Sequence, residues 1–184
     1  MPMLTGPDAK PAEVNSEGQL ATRSIIEELA FHANHDWESL YTVLVDVTTA
    51  STDDDFFYIK NTDVRDIVIY KISGWCDDAN QEIKVLIGGT DAGTNDGDAL
   101  TPVNLNAGAI SKAADVDCTQ DATDLAITGG SVCRLLKFPT TALELAEFDF
   151  VSGIIIPKNQ RLHLEAAIAG LINLNITFFF NEVE

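Results

Sequence analysis

From Tyr41 onward the chain alternates between apolar and polar positions with a period of two. Tyr41, Val43, Val45 and Val47 are interleaved with Thr42, Leu44, Asp46 and Thr48, the pattern of a strand with one buried face. A polar turn, Ser51-Thr52-Asp53-Asp54-Asp55, leads into a second strand at Phe56-Phe57-Tyr58-Ile59-Lys60. Asn61-Thr62-Asp63 then turns the chain into an Ile-, Val- and Tyr-rich strand from Asp66 to Trp75. In Gln81 to Ile87, Ile83, Val85 and Ile87 share one face, with Glu82 and Lys84 opposite. A long Gly, Asp, Asn and Thr loop from Gly88 to Asp98 follows, then weaker strand signals at Leu100–Leu105, Ala113–Cys118 and Leu125–Thr128. Val132–Phe138 and Leu143–Phe150 are strands separated by Pro139-Thr140-Thr141, and Gly153–Ile156 ends at the turn Pro157-Lys158-Asn159-Gln160. The last two strands are the clearest. Leu162, Leu164 and Ala166 alternate with Arg161, His163 and Glu165, Gly170 breaks the run, and Ile172, Leu174, Ile176, Phe178 and Phe180 form the final apolar face.

The first forty residues differ. Residues 1–20 hold Pro2, Pro7, Pro11, Gly6 and Gly18 with little apolar periodicity, which predicts a flexible arm that orders against a partner. From Ala21 to Trp37, the residues Ile25, Ile26, Leu29, Ala30, Ala33 and Trp37 fall at helical spacing. That spacing predicts one short helix, although Thr22-Arg23-Ser24-Ile25-Ile26 is equally compatible with an extended segment. Roughly ten short strands and at most one helix indicate an all-β sandwich or barrel. The expected organisation is an N-terminal arm over 1–20 and one β-sandwich domain over 21–184.

At 184 residues and 46% apolar composition the chain is long enough to bury a core. Its 11 Lys and Arg stand against 29 Asp and Glu, for a formal charge of -18. Such a balance argues against a nucleic-acid partner, which needs a basic footprint, and against docking on anionic lipid. No stretch reaches the length of a membrane span. Met1 to Asp8 lacks the basic and apolar regions of a signal peptide. Cys76, Cys118 and Cys133 form no C-x-x-C pair, so they are expected to be buried free thiols of a protein folded in a cytoplasm.

Catalytic chemistry finds little to use. His32 and His35 are three residues apart on the predicted helix, but two His fall short of a usual metal ligand count and no H-E-x-x-H is present. His163 belongs to the polar face of its strand beside Arg161 and Glu165, a face expected to meet solvent or another subunit, and no nucleophile motif accompanies it. The chain is therefore expected to have no catalytic, cofactor or metal site and not to be an enzyme. Asp91, Asn95, Asp96 and Asp98 place oxygen ligands of the kind Ca²⁺ takes in one loop, with Asp53–Asp55 a second acidic turn. The loop is out of register with an EF-hand, and Asp, Asn and Gly also serve simply as turn formers.

Several pieces occur in a familiar order: Leu20-Ala21-Thr22-Arg23-Ser24-Ile25-Ile26-Glu27, His32-Ala33, the aromatic strand at Tyr41, and Asp55-Phe56-Phe57-Tyr58-Ile59-Lys60-Asn61-Thr62. They continue with Leu100-Thr101-Pro102-Val103-Asn104-Leu105-Asn106, Ser111-Lys112-Ala113-Ala114, Ile154-Ile155-Ile156-Pro157 and a long final strand. Over about residues 20–182 this order resembles tailed-bacteriophage capsid decoration (cement) proteins. The helical periodicity at Ile25–Trp37 departs from the extended segment expected there. The resemblance implies a jelly-roll-like domain, a homotrimer bound to the major capsid protein on the outside of an icosahedral head, assembled in the host cytoplasm, with no active site. Adjacent aromatics in Phe56-Phe57 and Phe178-Phe179-Phe180 should point to opposite faces, and Phe148 and Phe150 flank Asp149 and share one face, so any of these outside the core would offer area for subunit contacts. The competing expectation is a glycan-binding β-sandwich that uses Ca²⁺ in the Asp91–Asp98 loop and an aromatic wall from Trp37 or Trp75.

Overall fold

A computed structural model of the chain describes residues 33–34, 38–91, 97–109 and 113–181. The arm predicted over residues 1–20 lies outside them. So does the predicted helix, apart from Ala33 and Asn34, which have helical conformation.

Among the described residues thirteen strands follow in order: β1 Leu40–Thr49, β2 Asp54–Asn61, β3 Ile67–Cys76, β4 Glu82–Ile87, β5 Thr90–Asp91, β6 Asp98–Ala99, β7 Val103–Asn104, β8 Val116–Gln120, β9 Ile127–Thr128, β10 Ser131–Lys137, β11 Ala146–Ile156, β12 Arg161–Ala166 and β13 Gly170–Phe180. The eight long ones build two antiparallel sheets. One has the order β11-β3-β13-β1 and the other β10-β4-β12-β2. β1 pairs with β13, β2 with β12, β3 with β11 and β4 with β10. The first half of the chain thus runs against the second as one long ribbon, which is rolled so that β3 also meets β13 and β4 also meets β12. This is a jelly roll, so the fold expected from the alternation and from the resemblance is the fold observed.

The register follows the hydrophobic pattern. Val43, Val45 and Val47 of β1 stand opposite Ile176, Leu174 and Ile172 of β13, and all six lie in the main core between the sheets. Slipping one strand of that pair by one residue would turn its apolar row away from the core. Tyr41 stacks on Phe178 at 5.6 Å, and Phe180 meets both rings edge-on.

Aromatic neighbours do not divide as simple alternation requires. Phe179 leaves the main core for a second cluster with Leu40, Val68 and Ala33, but Phe56 and Phe57 both enter the main core. The cause is a bulge. Phe57 pairs with Leu164 and Asp55 with Glu165, so Phe56 is an extra residue in β2. None of these aromatics is exposed, so the apolar area expected from them at the surface is absent.

Three strand boundaries also differ from the pattern. Leu100–Leu105 shortens to the two residues of β7, because the Asn104 side chain donates to Glu38 O at 2.7 Å and accepts from Asn106 N–H at 2.8 Å, turning the chain. The strand expected at Ala113–Cys118 is β8, which runs from Val116 to Gln120. The segments Leu143–Phe150 and Gly153–Ile156 belong to one strand, β11, in which Phe150 to Gly153 stand opposite Tyr70 alone.

Residues 88–130, between β4 and β10, are an insertion with two structural effects. It seals one long edge of the sandwich: β7 pairs with β1, β8 with β2, and β6 with β8. Gln120 ties the two sheets across that edge, accepting from Asp46 N–H at 3.0 Å and donating to Asp46 O at 3.2 Å. It also lays the small β5–β9 sheet near the outer side of β12 and β2, where Leu125 and Ile127 pack on Tyr58.

Candidate functional site

Burial of His163 is the first consequence of that insertion. The strand register turns it to the outer face of its sheet, where the sequence predicts solvent or a partner, yet it is 1% exposed. Its Nδ1 lies 2.7 Å from Asp55 Oδ1, and Asp55 is buried too. Its Nε2 has no hydrogen-bond partner and is pressed against Gly130, where a Cβ would stand 2.7 Å away. Gly130 has φ +100°, so glycine is required twice over. Nearby, the Arg161 guanidinium lies 5.4 Å from the centre of the Tyr58 ring, whose hydroxyl donates to Asp117 at 3.1 Å. The His163–Asp55 pair ties β12 to β2 within the sheet, and the insertion is fastened to the same place by Leu125 N–H donating to Asp55 O at 2.8 Å and Asp55 N–H donating to Asp124 at 3.3 Å.

The acidic turn is likewise consumed by the protein itself. Asp53 pairs with Lys84 at 3.0 Å, Asp54 accepts from Ser51 N–H and Oγ–H, and Asp55 holds His163. Lys84 also pairs with Glu165; these contacts lower the Asp53 pKa and raise that of Lys84. Of the calcium candidates, Asn95, Asp96 and the Asp91 side chain lie outside the described residues, and Asp98 is exposed. His32, His35 and Trp37 also lie outside, and Trp75 is half-buried within β3. Among the described residues no group of three or more His, Cys, Asp or Glu is placed to hold a metal ion.

Two cysteines meet the expectation and one corrects it. Cys76 and Cys118 are buried, and burial pushes the Cys76 thiol up to about 12 and raises that of Cys118 as well. Cys133 is exposed. It is the extra residue of a bulge in β10, where Val132 pairs with Leu86 and Arg134 with Val85. The bulge tilts its side chain out of the strand's alternation.

Cys133 belongs to the feature that stands out on the surface. Opposite the sealed edge, β10 and β11 end their sheets. Among the described residues no further strand pairs with either. Between them run two open clefts. One, about 490 Å³, is lined by residues including Cys133, Arg134, Ser152, Ile154 and Ile155. The other, about 440 Å³, includes Arg134, Leu135, Phe148, Phe150 and Val151. Val132, Leu135 and Ile155 are about half exposed and Val151 is 100% exposed. Scattered apolar side chains are ordinary on a surface, but here four of them line one unpaired edge.

Of these residues the sequence pointed only to Phe148 and Phe150, which flank Asp149 on one face. A signal was present in Val151-Ser152-Gly153, where the run between two apolar stretches reads as a loop. It is instead a bulge that carries a valine into water. The open edge, with its clefts and apolar side chains, is the candidate functional surface. No protein-family model matches the chain, and no curated protein matches it.

Proposed function

We propose that the chain is a structural virion component: a decoration protein that binds the major capsid protein on the outside of an icosahedral phage head as a homotrimer and braces the shell. The observation that carries this reading is the asymmetry of the sandwich. One edge is sealed by an insertion within the chain, and among the described residues the opposite edge ends in β10 and β11 with one apolar and one more polar cleft between them. The bulges in β10 and β11 guard that edge against an added strand, yet exposed apolar side chains remain along it, area that a neighbour's side chains can cover. Asp53, Asp54 and Asp55 are engaged by Lys84, Ser51 and His163 within the fold, which agrees with a structural role for that acidic turn. The jelly roll suits this work because its rigid sheets transmit load, and the sequence resemblance points the same way.

The test is direct. Purified protein is measured by light scattering and then mixed with phage heads that lack a decoration protein. A mass near three chains and saturable binding to the heads are the expected results. A strict monomer that ignores the heads overturns the reading. A rise in melting temperature with millimolar Ca²⁺, reversed by chelator, would instead favour the glycan-binding module, since an ion held by the folded state alone must stabilise it.

A further inference from the structure

We propose that the β10–β11 edge is the surface through which copies of this chain join, head to tail, with β10 of one copy against β11 of the next. The inference rests on the assembly reading above and adds which residues make the contact and in what sense.

Charge identifies a second copy as the occupant. In a chain with 11 basic and 29 acidic residues, β10 carries Arg134 and Lys137 and no carboxylate. β11 carries Glu147 and Asp149 and no cation. Arg134 is exposed and lines both clefts. Lys137 is held by Glu82 at 2.6 Å, and Glu147 is held by Lys71 at 2.8 Å. Asp149 is 3.9 Å from the same lysine and more than half exposed. One ridge of the edge is therefore basic and the other acidic. The edge complements itself, whereas an unrelated acidic partner would be repelled by β11.

Shape agrees with charge. Val151 sits within the bulge of β11 as a wholly exposed apolar knob beside Asp149. The cleft floored by Ile154 and flanked by Cys133 and Arg134 is an apolar-walled hole on the same edge. When copies are turned about an axis parallel to the strands, the basic ridge of each meets the acidic ridge of the next, and the Val151 knob reaches the neighbouring cleft. Such a contact is heterologous, and a rotation of one third closes it into a ring with no edge left over. The bulges in β10 and β11 break the regularity needed for an added strand, so side chains, not a continuous sheet, make this joint.

The experiment compares the solution mass of the wild type with Val151→Asp, Arg134→Asp and the swap Arg134→Asp with Asp149→Arg. These sites are exposed, so the fold should survive, and Cys76 and Cys118 staying closed to a thiol reagent would verify it. The expected results are a threefold fall in mass for Val151→Asp and for Arg134→Asp, with mass recovered in the swap. Cys133 should react at least tenfold faster in Val151→Asp than in the assembled wild type. A wild type that is monomeric at every concentration overturns the proposal, as does an assembly whose mass none of the substitutions changes. Head binding is scored separately: variants that keep their mass while wild type decorates heads would sink the edge but leave the function. A wild-type ring broken by Val151→Asp, with no affinity for heads, would do the reverse.

Discussion

At the scale of single residues, the polar groups inside the sandwich do mechanical work. Asn61 donates to Arg65 O and Ile156 O at 2.8 and 2.9 Å and accepts from Asp63 N–H. That fastens the β2–β3 turn to the end of β11. Asp63 in turn receives Arg65 Nε and Nη2, while the guanidinium lies 4.5 Å from the centre of the Phe180 ring. The Arg65 hydrogen bonds hold the Asp63 carboxyl at about 2. A carboxyl held down in the folded state adds stability above its unfolded pKa and loses it as pH falls through the folded value. Asp63→Asn should therefore cost about 2 kcal/mol at pH 7, about half that at pH 3 and little by pH 2, as read by urea unfolding. His163→Leu strands the buried Asp55 carboxylate and should cost about 2–3 kcal/mol. In a double-mutant cycle with Asp55→Ala the two losses should fall short of adding, because both remove the same contact.

At the scale of elements, the parts that were legible in the sequence are those where period alone decides structure. Val43, Val45 and Val47 against Ile172, Leu174 and Ile176 could be read directly, since one buried face leaves one register. Bulges were not legible, because an inserted residue breaks the link between parity and face. Phe56 and Phe57 look like residues of opposite faces and are both core, Cys133 looks like a buried thiol and is exposed, and β11 looks like two strands. The insertion was illegible for another reason: its pairings with β1 and β2 span dozens of residues and rest on strands as short as two. His163 was misplaced on that account. A face that reads as polar and solvated becomes interior once residues far along the chain fold over it. The Phe56 bulge supplies the sharpest check at this scale. If Phe56 faced outward, Phe56→Ala would change stability by a few tenths of a kcal/mol. Packed in the main core, its loss should cost about 3–5 kcal/mol, measured by the urea midpoint at constant m-value.

At the scale of the whole molecule, two electrostatic effects oppose each other. A charge of -18 on every copy repels all others, while Arg134 against the Asp149 ridge attracts at contact distance. Their ranges differ, and that decides which wins. The net repulsion acts across whole subunits and is felt fully when the Debye length is about 30 Å, near 0.01 M salt, but is largely screened when it is about 8 Å, near 0.15 M. A contact pair partly shielded from solvent is screened far less over the same range. Raising salt from 0.01 to 0.15 M should thus tighten assembly by at least tenfold in dissociation constant, measured by sedimentation across a concentration series. Arg134→Asp adds two units of negative charge per copy and removes the attractive contact, so its assembly should be weaker at every salt and gain more from screening. The opposite slope, with wild-type assembly loosening as salt rises to 0.15 M, would mean that attraction between unlike patches dominates the energetics of the contact. The apolar Val151 knob and its cleft would then be secondary.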